Sequence, residues 1–367
     1  MPPAPLPTIE PRIAQLTPYR PGKPIEEVKR ELGIADVVKM ASNENPLGPS
    51  PRALAAAAEA LGSVHLYPDA ACHALRERVS QLLQISPDML VFGNGSDEVI
   101  HYLGVAFLSE GDNIVQGDPS FVRYEAAAVL NRSACRKVAL TQWVHDLDAM
   151  ADAVDDRTRI VFIANPNNPT GTLVSRLEVE RFLDAVPETC ITVFDEAYHE
   201  YVDDPDAPDL LPHIREGRNV VVLRTFSKAY GLAGMRIGYG VCRPEIADAL
   251  NRVREPFNVS LPGQAAALAA LDDHEHLEMT LRINRQGRDQ LAAGFTRLGL
   301  EATPTQGNFL WVNLRRDGRQ VYDALLKQGV IVRTGDVFGA HEFLRITIGT
   351  PEQNARLLSA LEGSLQQ

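Results

Sequence analysis

The chain of 367 residues is short of cysteine, with four: Cys72, Cys135, Cys190 and Cys242. None stand at C-x-x-C spacing in this long chain, which argues against a disulfide scaffold or a zinc site and predicts ordinary buried or semi-buried thiols. No apolar run approaches the roughly 20 residues that a membrane span needs. Positive charge is in deficit: Lys+Arg is 36 against Asp+Glu of 48, a formal net charge of −12. An acidic chain repels nucleic acid and anionic membrane overall. It leaves room for a local cationic pocket that takes a small anion. The N-terminus is proline-rich and lacks the basic-then-apolar layout of a signal peptide, so a cytoplasmic location is expected.

What is present is ordinary for a soluble globular protein: 45% hydrophobic and 23% charged residues, on a length that suggests two domains. Pro2 to Pro24 holds many prolines and no clean periodicity, and is expected to be an extended arm, not a helix. Strand-like runs then alternate with helical patterns. The strands are expected at Met89–Phe92, Asn113–Gln116, Ala134–Ala139, Arg159–Ile163, Ile191–Phe194, Val220–Leu223 and Ile237–Val241. Helices are expected at 71–84, 97–108, 120–130, 146–153 and 175–185. Such alternation indicates an α/β fold with a mainly parallel sheet covered on both faces. After about Pro244 the pattern changes. Helices at 261–271 and 274–298 precede strands at 308–313, 330–333 and 343–348, a helix near 319–328 and a last helix from Pro351. That reads as a smaller α+β domain. Both chain ends are expected to build it: residues 1–46 as arm and part of the small domain, 47–250 as the large domain, and 251–367 as the rest of the small one.

Four segments carry chemistry. Gly93-Asn94-Gly95-Ser96-Asp97-Glu98 follows a strand and opens a helix, where successive backbone N–H groups bind phosphate. Glu98 occupies the place of the third glycine of a dinucleotide fingerprint, and no Walker A lysine is present. Asn165-Pro166-Asn167-Asn168-Pro169-Thr170-Gly171 is a stiff polar loop at the end of a strand, where α/β sheets place ligand contacts. Val193-Phe194-Asp195-Glu196-Ala197-Tyr198 ends another strand in an acid, which needs a cationic partner or a hydrogen-bonding network when buried. In Arg224-Thr225-Phe226-Ser227-Lys228-Ala229-Tyr230-Gly231, a lysine follows a strand among hydroxyls and glycines. Arg236 comes eight residues later between Gly234 and Gly238. A Schiff-base lysine needs a confined pocket that lowers its pKa, and an anionic cofactor needs an arginine and hydroxyls beside it.

The set, in this order, resembles the fold-type I pyridoxal-phosphate aminotransferases, close to the histidinol-phosphate aminotransferases. The resemblance covers nearly the whole chain, from Leu16-Thr17-Pro18-Tyr19 and Ala41-Ser42-Asn43-Glu44-Asn45-Pro46, through Leu66-Tyr67-Pro68 and Pro119-Ser120-Phe121, to Leu344-Arg345-Ile346-Thr347-Ile348-Gly349-Thr350. It implies that pyridoxal 5′-phosphate is held as a Schiff base on Lys228, with Lys228 then serving as the proton-moving base. Asp195 would face the pyridine nitrogen. Asn168 and Tyr198 would bond the phenolic oxygen. Phe121, where the family often carries tyrosine, would stack on the ring. Gly95, Ser96 and Asp97, with Thr225, Ser227 and Arg236, would hold the phosphate. Tyr67 would reach the phosphate in a neighbouring subunit, which implies a homodimer. Arg345 would grip the acidic end of L-glutamate or L-histidinol phosphate, and Arg333, Tyr19, Asn43 and Asn308 would line the same pocket.

The implied reaction is a ping-pong, reversible amino transfer between L-glutamate and imidazole-acetol phosphate. Aromatic amino-acid aminotransferases and a decarboxylase of a phosphorylated amino acid share these motifs. A regulator that uses such a domain as a sensor would normally carry a DNA-binding domain as well. The pair His274 and His276 among acids reads as a solvated helix start. A Ser227–Lys228 hydrolase dyad would leave Asp195, Asn168 and Arg236 without a role.

Overall fold

A computed structural model describes residues 8–16, 18 and 22–366. Its centre is a seven-stranded sheet. Across it the strands run Leu90–Gly93, Gly238–Val241, Val220–Thr225, Ile191–Asp195, Thr158–Ala164, Asn113–Asp118 and Ala134–Ala139. Gly238–Val241 is antiparallel to both neighbours, and the other pairings are parallel. The inner strands are near-continuous apolar runs because both faces are covered: Ile191–Asp195 and Val220–Thr225 are buried at every position. The edge strand Ala134–Ala139 is half exposed and carries Arg136 and Lys137, charges that discourage pairing with another edge.

A second, antiparallel sheet holds Arg333–Thr334, Phe343–Thr347, Phe309–Asn313 and Glu301–Ala302 in that order. The helices His274–Arg297 and Pro351–Leu365 pack together beside it, and Leu291, Phe295, Leu310, Leu344 and Leu361 share one core. Met40 joins that core, and Val38–Lys39 pairs in parallel with Val330–Ile331, so the N-terminal segment is tied to the C-terminal part of the chain.

Three expectations need correction. The arm contains a helix, Pro11–Gln15: the Glu10 carboxylate accepts from the N–H groups of Arg12 and Ile13, and Pro11 stands in the first turn, where its missing N–H costs nothing. The expected strand 330–333 is two short strands, because Val330–Ile331 pairs with Val38–Lys39 while Arg333–Thr334 pairs with Phe343–Thr347. The helix expected from residue 120 starts at Arg123, since the Ser120 hydroxyl is engaged by the Asn167 side chain 2.9 Å away. The helices Ile25–Leu32, Leu211–Arg215 and Pro244–Val253 are additional to those expected.

Candidate active site

The C-terminal ends of three adjacent strands, Thr158–Ala164, Ile191–Asp195 and Val220–Thr225, open onto a cavity of about 220 Å³. The apolar run Ile191–Phe194 draws the Asp195 carboxyl inside with it. One carboxylate oxygen accepts from the Tyr124 hydroxyl at 2.8 Å and the other from the Ala197 N–H at 3.1 Å. Burial pushes the Asp195 pKa up to about 6, against the pull of these hydrogen bonds and of Lys228. Lys228 follows the next strand by three residues, on a turn closed by the Gly231 N–H to the Lys228 carbonyl at 2.9 Å. Its Nζ donates to the Ser42 carbonyl at 3.2 Å and lies 5.8 Å from the Tyr198 ring centroid. Burial lowers its pKa to about 8, with Arg345 repelling the same charge. An amine so placed is partly unprotonated near neutral pH and therefore nucleophilic.

The other wall is built for an anion. Gly95 takes φ +79° as the cap of the helix Ser96–Phe107, and a Cβ there would stand 2.3 Å from Arg236 Nη2. At Gly238 a Cβ would stand 2.4 Å from the Ser96 nitrogen. Glycine at both positions lets a guanidinium and a neighbouring strand close on the helix N-terminus, where the first-turn N–H groups and the helix dipole favour negative charge. Arg236 reaches the Ser227 hydroxyl at 3.4 Å and lies 3.9 Å from the Asp97 carboxylate. Thr225 donates to Ser227 at 3.0 Å. Ser227 is thus engaged by Thr225 and Arg236 while Lys228 donates elsewhere, which is not the arrangement of a hydrolase dyad.

Opposite stands Arg345, from the strand Phe343–Thr347. It is buried, donates to the Asn168 side-chain oxygen and to the Ala41 carbonyl (2.8 Å), and lies 5.6 Å from the ring centroids of both Phe309 and Phe338. The Asn168 loop is held by Gly171 N–H to the Asn167 carbonyl at 2.7 Å and by the Asn167 side chain to Thr170 at 3.0 Å.

Of the residues expected from sequence, Ser96, Asp97, Phe121, Asn168, Asp195, Tyr198, Thr225, Ser227, Lys228 and Arg236 line this one cavity. Gly95 and Arg345 lie directly behind it, against Arg236 and Asn168. Asn43 and Asn308 belong to a buried network behind Tyr198. Asn43 donates to the Tyr198 hydroxyl at 2.9 Å and to Thr347 at 2.9 Å, and Asn308 donates to the Asn43 carbonyl at 3.0 Å. Arg333 sits beside Arg345 on the neighbouring strand. Tyr67 is 81% exposed and stacks on Phe257 at 4.5 Å, away from the cavity. Tyr19 lies outside the described residues. Asp273 caps the helix His274–Arg297 by accepting from the His276 N–H, and the His276 ring is buried 3.1 Å from the Gly48 carbonyl, not solvated as expected.

Sequence reasoning missed Tyr124, Ser42, Glu44 and Pro166, all on the cavity wall. Ser42 and Glu44 lay inside a quoted motif, and no spacing rule singles them out. Tyr124 offered one signal: it shares an i, i+3, i+4 face with the apolar Ala127 and Ala128, and a tyrosine on such a buried face needs a partner for its hydroxyl. Together these groups suit a flat, phosphorylated, carbonyl-bearing cofactor. Lys228 would be the amine for the carbonyl, Asp195 the acid for a ring nitrogen and Phe121 an apolar wall for the ring face, and the glycine-shaped cradle would receive the phosphate.

The chain matches the family model of aminotransferase class I and II over residues 35–361. It is 50% identical over 361 residues to a histidinol-phosphate aminotransferase of Moorella thermoacetica, covering 98% of this chain and 94% of that one. To another so named in Halalkalibacterium halodurans it is 47% identical, covering 98% and 97%. The crystal structure of histidinol-phosphate aminotransferase from Sinorhizobium meliloti in complex with pyridoxal-5′-phosphate is similar at a TM-score of 0.91, with 28% identity and 99% of each chain covered.

Proposed function

The chain belongs to the aminotransferase class I and II family, and from that premise we propose that it is a pyridoxal-phosphate-dependent aminotransferase of histidine biosynthesis. It moves an amino group between L-glutamate and imidazole-acetol phosphate, giving 2-oxoglutarate and L-histidinol phosphate. The observation that carries the substrate assignment is the 50% identity to a relative of that name across 98% of this chain. Convergence of Lys228, Asp195, Asn168 and Arg236 on one cavity supports the chemistry.

Pyridoxal phosphate, when bound, supplies an aldehyde that takes up amines and a protonated ring that draws electron density from the substrate's Cα. Lys228 would hold the aldehyde carbon and, as a free amine, would take the proton from the substrate's Cα. Its burial-lowered pKa of about 8 suits both tasks. Asp195 holds a proton on the ring nitrogen by its negative charge. Asn168 and Tyr198 hydrogen-bond the phenolic oxygen, and Asn43 fixes the Tyr198 hydroxyl from behind. Ser96, Asp97, Thr225, Ser227 and Arg236 hold the phosphate, and Phe121 covers the ring. Arg345 receives the substrate's acidic end, with Arg333 beside it on the neighbouring strand; the resemblance gives Tyr19 to the same pocket. Asn308 acts through Asn43.

The exposed Tyr67 and Phe257, with Leu61, Val64 and Leu66 also exposed, support a homodimer in which Tyr67 reaches the partner's phosphate site. Residues 1–46 are read as an N-terminal arm and part of the small domain, 47–250 as the large domain and 251–367 as the rest of the small one, with Arg12 of the arm bonded to the Arg132 carbonyl and to Glu110 of the large domain. Among the described residues no helix is long and apolar enough to cross a membrane, and the enzyme is read as cytoplasmic.

Replacing Arg345 by alanine removes a two-pronged cationic grip and should raise the KM for L-glutamate about 100-fold, because charge-assisted pairs are among the strongest hydrogen bonds. Cofactor affinity should change little by comparison. Steady-state kinetics and equilibrium titration check both, and an unaltered KM for L-glutamate removes Arg345 from the substrate site.

A further inference from the structure

Tyr124 belongs to no motif, yet its hydroxyl is the side-chain donor to Asp195. The residue is fully buried in the first turn of the helix Arg123–Leu130. Its ring stacks on Phe162 at 4.6 Å and 6°, and meets Phe121 edge-on at 5.6 Å. Phe162 sits on the strand adjacent to Ile191–Asp195. The ring is therefore clamped from two sides, and its hydroxyl meets the Asp195 carboxylate at 2.8 Å. The other carboxylate oxygen is fixed by the Ala197 N–H. One donor on each oxygen pins the plane of the carboxyl.

We propose that Tyr124 is a positioning residue that holds Asp195 ionised and correctly turned toward the cofactor's ring nitrogen; this rests on the cofactor reading given above. Left to burial alone, a carboxyl in this place would take up a proton and lose the charge that its task requires. Asp97 pushes in the same direction, whereas Lys228, the Ala197 N–H and the Tyr124 hydroxyl act against it. Around Tyr124 the charged and titratable groups are Asp195, Tyr198 and Asp97. The Tyr124 hydroxyl and the Ala197 N–H donate to the two oxygens of Asp195, so removing the hydroxyl leaves the backbone N–H as the bond that still favours the carboxylate there.

The test is Tyr124→Phe, which removes one oxygen and leaves the stacked ring. The apoprotein is titrated with pyridoxal 5′-phosphate from pH 5 to pH 9. In the parent protein, affinity should fall as pH drops through about 6, where Asp195 takes up a proton. Loss of a donor that favours the carboxylate raises the Asp195 pKa, so in the variant the fall begins at higher pH. A displacement of about one pH unit is expected, giving roughly tenfold weaker binding in the window between the two values. At pH 8.5, where Asp195 is ionised in both proteins, affinities should agree within about twofold. Titration of Lys228 is common to both proteins and cancels in the comparison.

A purely structural hydroxyl would lower affinity and melting temperature equally at every pH, and that result overturns the proposal. The same exchange made in an Asp195→Asn background should cost no further affinity, because the group through which Tyr124 acts is gone. Additive losses there would also overturn it. If Asp195→Asn alone leaves cofactor affinity intact, the cofactor reading itself fails. If Asp195→Asn weakens binding but Tyr124→Phe leaves the acid limb unmoved, only the role of Tyr124 fails.

Discussion

Lys228→Ala is expected to yield a protein that binds pyridoxal phosphate reversibly, loses it on dialysis, and turns over more slowly by roughly four orders of magnitude or more. Two roles vanish together, anchoring and proton transfer, and no other cavity-lining side chain is an amine. The nearest rival, Lys39, is held at 2.8 Å by Glu44, itself on the cavity rim. Alanine also relieves a partly buried cation that Arg345 repels, so the fold should not suffer. Borohydride treatment followed by mass spectrometry reads the outcome. The parent should carry the cofactor's mass on the peptide with Lys228, and the variant should carry none. Cofactor mass retained on Lys39 or elsewhere would move the anchor and overturn the assignment.

Asp195→Ala should cut kcat by two to four orders of magnitude, since a fixed charge in a dry site has its full effect where charge develops in the transition state. Alanine also strips Tyr124 of its acceptor, and a buried donor left unpaired costs about 1–3 kcal/mol of stability. Asp195→Asn separates the charge from the Tyr124 bond, because its one amide oxygen still accepts from Tyr124 while the charge is gone and the NH2 group faces the Ala197 N–H. Folding raises the Asp195 pKa above its unfolded value, so the ionised form costs stability as pH rises through about 6. At pH 7.5 the Asn apoprotein, relieved of that charge and still bonded to Tyr124, should melt higher than the Ala apoprotein while losing nearly as much kcat. Stopped-flow turnover and thermal melts check this. Near-normal turnover in either variant would show that another group keeps the ring protonated.

Much of this site could be read from the chain because its parts lie at strand ends. Buried parallel strands are short apolar runs, and a polar residue closing such a run, as Asp195 does, has few places to be except the sheet's C-terminal edge. Lys228 and Asn168 follow the same rule from the neighbouring strands. The phosphate cradle was weaker in sequence, because glycine turns before helices are common. What separates it from a plain turn is the close approach of Arg236 to Gly95 across 141 residues, a tertiary fact.

The misreadings have equally physical causes. The side chains of Asn43 and Asn308, in motifs that point at substrate, also close a buried network on Tyr198 and Thr347 that the sequence did not foretell. Sequence order does not say which way a buried amide faces. Tyr124 was passed over because its partner is 71 residues away. The helix Pro11–Gln15 was hidden by prolines that elsewhere mark extended chain, although one proline in a first helical turn is favourable. Val330–Ile331 and Arg333–Thr334 read as one strand because a run of β-formers does not reveal that it changes partner midway.

The central claim, an aminotransferase whose amino substrates are L-histidinol phosphate and L-glutamate, is tested most directly by single-turnover absorbance of the purified holoenzyme. It is mixed in turn with L-histidinol phosphate, L-glutamate and L-phenylalanine, and conversion of the bound cofactor to its amine form is followed. Rapid conversion by the first two and slow conversion by the third is the predicted result. Preferential conversion by L-phenylalanine would contradict the histidine-pathway assignment and make this an aromatic amino-acid aminotransferase working through the same Lys228.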